Sequence, residues 1–153
     1  MRTEAQPQAT VGDTITDVAI VDGSVPAGSE LTFEVFKSPV AGDLKHDQNG
    51  ELTDTAWTQA EVDALNGEAV CTMENLAGRT EPIAVTAGPH SGERYTSPGV
   101  QVDRAGTYWW IESLLHRDPE SGAETLIISG TCGLLLLAAV MVGVAGGESR
   151  VGP

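Results

Sequence analysis

The sequence predicts an all-β fold: two antiparallel sheets packed face to face from about seven short strands, with one short helix in a loop and an apolar C-terminal tail. Three observations predict it. Short segments rich in β-branched residues alternate with clusters of Gly, Pro, Asp and Asn. The 18 glycines and the low aromatic content of 5% suit tight turns better than a helix bundle. No strand–helix–strand spacing occurs, which excludes a parallel α/β sheet.

Residues 1–12 are polar and lack a period, so they are expected to be a linker or a frayed end. Thr14–Val21 reads as a strand, followed by turn chemistry at Asp22-Gly23 and at Pro26-Ala27-Gly28. In the next strand Leu31, Phe33 and Val35 share one face, with Thr32, Glu34 and Phe36 on the other. Residues 38–56 carry Pro39, Gly42 and Gly50 without a period and are expected to be loop. Thr58-Gln59-Ala60-Glu61 fits a capping box for a short helix, with Val62 and Leu65 facing the core and Asn66-Gly67 as its stop; a turn-rich loop is the alternative.

Strand patterns resume at Pro82–Thr86. Tyr95-Thr96 and Val100–Val102 follow, separated by a kink at Pro98-Gly99. Gly106–Leu114 is the strongest strand signal. The turn Asp118–Gly122 leads into Thr125–Gly130. The sandwich is therefore expected over residues 13–133. An apolar tail at 134–147 and a polar end at 148–153 complete the chain.

Between Thr125 and Gly147 there is no charged residue. The compact apolar run from Leu134 to Ala145 is shorter than the roughly 20 residues of a spanning helix. It is read as a short or truncated membrane anchor, a buried helix or strand, or an accident at the end of an incomplete frame. The N-terminus has no apolar run of the signal-peptide type. The chain is thus expected to be either cytosolic or a piece of a longer exported protein.

Acidic residues number 22 against 8 Lys and Arg, a net charge of −14. That balance excludes a nucleic-acid partner and a polybasic membrane surface, both of which need clustered cations. Catalytic patterns are missing. His46, His90 and His116 stand in no metal-ligand spacing, and no nucleophile elbow or phosphate loop is present. Asp43, Asp47, Asn49, Gly50 and Glu51 superficially resemble a calcium loop. With Gly50 as its glycine, however, Lys45 and Ala56 fall where the first and last ligands belong. Neither a metal nor a cofactor is expected, nor an enzyme.

Two cysteines, Cys71 and Cys132, fit a disulfide in an exported chain or two unrelated buried thiols. A bond between them would close a loop of about 60 residues and contribute on the order of 4 kcal/mol through the unfolded state. Asp103, Gly106 and Tyr108 resemble the tyrosine corner of immunoglobulin-like sandwiches, in which a phenol bonds back to nearby backbone. Tyr108 and Trp110 share a face of that strand, and Trp109 takes the other. One tryptophan is expected in the core. Trp57 and Trp109 are candidate platforms for a ligand.

Larger blocks carry a more specific likeness. They are Val11-Gly12-Asp13-Thr14, Asp17, Gly23-x-Val25-Pro26-x-Gly28 and Leu31-Thr32-Phe33-Glu34. They continue as Cys71-x-x-Glu74-Asn75-Leu76, Tyr95-x-Ser97, Ala105-Gly106-Thr107-Tyr108-x-Trp110-x-Glu112 and Gly130-x-Cys132-Gly133. Together they resemble a repeat module of cell-wall-anchored surface proteins of actinobacteria. The resemblance spans about residues 11–133. It implies an exported, immunoglobulin-like sandwich, a Cys71–Cys132 disulfide, and neighbouring modules of the same protein as partners. The implied role is a structural stalk on the bacterial surface. The alternative is an adhesin-type module that recognises a carbohydrate or a host protein. The chain departs from the family in its N-terminus, in the apolar run after Gly133, and in having no sortase motif before that run.

Overall fold

The computed structural model describes residues 1–5, 8–130, 136–138, 142–144 and 147–152. The fold is all-β, with antiparallel sheets in a sandwich-like arrangement and two short α-helices. One sheet holds Arg2–Ala5, Asp17–Val25 and Gly88–Thr96, with Asp17–Val25 in the middle. The other is centred on the twelve-residue strand Gly106–Arg117. Ser29–Lys37 pairs with it along nearly its whole length, from Tyr108 opposite Lys37 to His116 opposite Ser29. Leu76–Arg79 and Ile83–Val85 line the outer edge of Ser29–Lys37.

The far edge of Gly106–Arg117 is shared by two strands. Glu124–Ser129 covers its second half and Gly147–Gly152 its first. From Ser129 opposite Ser113, an uninterrupted strand would reach Trp110 three residues later; Gly147 stands there instead. Outermost lies Gln8–Thr10, parallel to Gly147–Gly152.

Alternation makes these strands what they are. In Ser29–Lys37 the side chains of Leu31, Phe33 and Val35 are buried, while Thr32 and Glu34 are only half-buried. In Gly106–Arg117 the buried set is Tyr108, Trp110, Glu112 and Leu114. These faces meet Ala19, Val21 and Val25 of the opposite sheet in one core. At its centre the Phe33 and Trp110 rings meet edge to face, with centroids 6.4 Å apart and planes at 86°, the arrangement that ring quadrupoles favour. Phe36 points away from this core. With Val70 it anchors a second cluster that includes Leu65, Leu76, Trp109 and Ile111.

Several expectations need correction. Residues 1–12 are not a loose linker, because Arg2–Ala5 and Gln8–Thr10 pair into the two sheets. Residues 38–56 contain a hairpin, Leu44–His46 with Leu52–Ala56. Its residues are mostly exposed, so no alternation marks it. The turn is held by Asp47, whose Oδ1 accepts from the Asn49 and Glu51 amides at 2.8 and 3.0 Å. Asp22-Gly23 is not a turn: the strand continues to Val25, with Gly23 opposite His90. A bulge at Gly92 lies across from it, and the Gly92 amide donates to Asp22 Oδ1 at 2.7 Å.

Thr58 caps Gln59–Asp63 as expected, accepting from the Glu61 amide at 3.2 Å. Asn66-Gly67 does more than stop that helix. Asn66 caps a second one, Gly67–Val70, by accepting from the Ala69 amide at 2.9 Å.

The tail is extended where it is described. Leu136–Ala138 pairs with Val142–Val144, and Gly147–Gly152 belongs to the large sheet. Among the described residues, no helix is long and apolar enough to cross a membrane. The remainder of the apolar run at 134–147 lies outside the described residues.

Candidate functional site

The segment 38–75 lies over the outer face of the large sheet, because Phe36, Trp109 and Ile111 offer it an apolar footing there. Two open grooves flank it. Trp109, half-buried, lines the first, of about 500 Å³, together with Pro39, Val40, Val62 and Leu65. Its indole N–H donates to Ser38 Oγ at 3.1 Å, so its polar edge is already satisfied.

Trp57 lines the second groove, of about 460 Å³, beside Lys37, His46, Asn75 and Arg104. The Lys45 ammonium lies over its ring, 5.0 Å from the centroid, within cation–π range. Most charges around this groove are neutralised locally. Lys45 meets Glu61 at 2.6 Å, Arg104 meets Asp43 at 2.9 Å, and Lys37 meets Asp103 at 3.3 Å. The hydrogen bond from Lys37, and then its charge, hold the Asp103 carboxyl below its ordinary value.

Asp103, Gly106, Tyr108 and Trp110 occupy the entry to the central strand. The Tyr108 hydroxyl donates to the Arg104 carbonyl at 2.9 Å, which clamps the turn to the strand that follows it. Burial raises the phenol above its usual range, so it keeps its proton as a donor. Tyr108→Phe leaves that carbonyl without its partner. It is expected to cost about 1 kcal/mol, read as a lower urea midpoint with an unchanged slope.

The histidines do not converge. The His90 ring is enclosed, with Nδ1 at 2.7 Å from a Glu93 carboxylate oxygen and Nε2 at 2.7 Å from the Thr86 carbonyl. His46 faces Glu74 at 4.0 Å on a different loop. Among the described residues, no group of three or more His, Cys, Asp or Glu side chains is placed to hold a metal ion. Cys71 is half-buried beside Val70, and no free cysteine occurs among the described residues. Cys132 lies outside them.

One polar pair escaped the sequence reading. Asp17 and Glu112, one from each sheet, are both fully buried. A signal existed: Asp17 continues the inward set Ala19 and Val21, and Glu112 sits between Trp110 and Leu114 on the core face. Comparison with known proteins gives no match: no family model fits the chain, and neither a curated protein nor a solved structure is significantly similar to it.

Proposed function

We propose that this chain is a non-catalytic stalk module of a bacterial cell-surface protein, joined to neighbouring modules and holding a more distal domain away from the cell. The parallel pairing of Gly147–Gly152 with Gln8–Thr10 carries the proposal. Arg150 lies opposite Gln8 and Gly152 opposite Thr10. Tension from the N-terminus first meets the ladder of Arg2–Ala5 and then loads Gln8 against Gly152 along the strands in opposite directions. The evenly spaced bonds of a parallel ladder are then loaded together in shear, not opened one at a time. That arrangement suits a spacer pulled end to end.

The likeness of residues 11–133 to surface repeat modules supports the same role, and a Cys71–Cys132 disulfide belongs to it. Mass labelling of free thiols tests the bond: two labels gained only after reduction are expected, and ready labelling of both native thiols would sink it.

Single-molecule stretching tests the role. Pulling through the two termini is expected to need clearly more force than pulling through Asp103 and the C-terminus, which lie at the same end of the ladder between Gly106–Arg117 and Gly147–Gly152 and open it one bond at a time. Equal forces along both axes would defeat the proposal.

A second reading, an adhesin-type module, rests on the Trp57 groove with its convergent Lys37, His46, Asn75 and Arg104. A glycan array probed with the protein and with Trp57→Ala decides it. Binding lost in the variant supports recognition, and no binding removes the carbohydrate branch of this reading.

A further inference from the structure

We propose that Asp17 and Glu112 form a proton-sharing carboxyl pair between the two sheets, a device that makes the sandwich firmest in acid and loosens it as the proton leaves. The geometry comes first. Both side chains are 0% exposed. The two carboxyls lie close enough to act on each other, and among the described residues none of their four oxygens has a partner of ordinary hydrogen-bond geometry; only the Val18 and Glu112 backbone amides bear on them from nearby. Two ionised carboxylates only accept, so a hydrogen bond between them requires a proton on one. With both ionised, two like charges would sit together in an apolar core without a cation.

The surroundings leave the pair to itself. On the inner face of its own strand Glu112 has Trp110 and Leu114 as neighbours, and Phe33 lies across from it on Ser29–Lys37. Beyond Asp17 stand Ala19 and Val21 on its own strand and Ala5 opposite. The Ser97 hydroxyl is engaged by the Asp17 amide, which donates to it at 3.0 Å. Among the described residues Tyr108 and His90 are also buried, as is Met1, which carries the α-amino group and packs in the same core beside Val21. Tyr108 turns its hydroxyl to Arg104 and Asp103, and His90 is bonded to Glu93 and Thr86. No lysine or arginine acts on either carboxyl.

Electrostatics agree with the geometry. Burial, then the hydrogen bond and the charge of Asp17, hold Glu112 well above the ordinary value of 4.5. Burial also raises Asp17, against the lowering effect of its bond to Glu112. The two therefore titrate as a pair.

The sign follows from linkage. Between the ordinary glutamate value and the raised native one, the folded state binds more protons than the unfolded chain, so stability falls as pH rises. The contribution is complete below the unfolded value and is lost as pH climbs through the native one. Stability at neutral and alkaline pH is what the pair costs the fold.

Urea titrations of the full chain from pH 4.5 to 8.5 test this, with Glu112→Gln beside the wild type. The glutamine amide is a permanent donor to Asp17 and mimics the protonated state. The wild-type unfolding constant is expected to rise with pH by up to about tenfold per unit for one proton. In Glu112→Gln the rise should shrink markedly, and the variant should be the more stable protein at pH 8. Parallel profiles for the two proteins would overturn the proposal. Carbon-13 NMR of the wild-type Glu112 carboxyl settles the matter even if the variant fails to fold. A carboxyl still protonated well above pH 4.5 is expected, and one that ionises near its ordinary value refutes the pair.

Discussion

Trp110→Ala is expected to remove about 3–5 kcal/mol of stability, the largest loss of any single truncation in this molecule. Trp110 is 0% exposed and is the largest of the fully buried side chains. It sits on the middle strand of the large sheet, and its ring meets Phe33 edge to face. Truncation leaves a cavity in the core, where strands on both sides are held by their ladders and resist closing in. A domain of this size holds about 5–15 kcal/mol in total, so much of the margin goes. Thermal and urea unfolding measure it directly. Trp110→Phe, which keeps an aromatic ring against Phe33, should recover part of the loss. A decrease below about 1 kcal/mol for the alanine variant would mean that the two sheets do not pack around this ring.

Gly28→Ala should be the most damaging change at an exposed position, at about 1–3 kcal/mol. Gly28 ends the turn that carries the chain from one sheet to the other. Its φ is +79°, in the left-handed region that L side chains resist. An added Cβ would also stand 2.9 Å from the Arg117 carbonyl oxygen, a backbone atom that cannot swing aside. The approach is close because the Arg117 amide donates to the Gly28 carbonyl at 2.9 Å, tying the turn to the end of the central strand. Two costs therefore fall on one methyl group. Gly12→Ala is the control: its φ is +97° but nothing lies within 4 Å of the added Cβ. It should carry the backbone cost alone, and equal losses at the two sites would show that the contact with Arg117 is not felt.

The sequence was legible where one face of a strand is buried and the other is not. Leu31, Phe33 and Val35 announce their strand, and Tyr108, Trp110 and Leu114 announce theirs, because period-2 burial leaves a period-2 pattern. The turn at Pro26-Ala27-Gly28 and the Thr58 cap were legible for local reasons, since one or two residues define each. The hairpin at Leu44–His46 and Leu52–Ala56 was not, because nearly all of it is exposed and its register slips. Gly88–Thr96 was legible only at Tyr95-Thr96, because Gly88, Pro89 and Gly92 interrupt any strand pattern before it; they form an edge strand with a bulge. The edge strands Arg2–Ala5 and Gln8–Thr10 carry no hydrophobic period, and only their partners reveal them.

The candidate groove could not have been read in advance, since Trp57, Asn75 and Arg104 meet through loops whose paths depend on the Phe36–Val70 cluster. Asp17 and Glu112 were legible in principle. Each stands at an inward position of a clear strand, where a carboxyl is out of place.

The shared edge of the central strand has a practical consequence. Ser129 and Gly147 are each held opposite Ser113 and Trp110 by a ladder of their own. The entropy of closing a loop changes only slowly with its length. The join is thus a natural splice point. A designer could extend the intervening segment with a binding loop or a reporter domain, keeping Cys132 and the Val142–Val144 strand that lies beside Asp17–Val25 and Glu124–Ser129, and the two flanking strands would still dock in their present alignment.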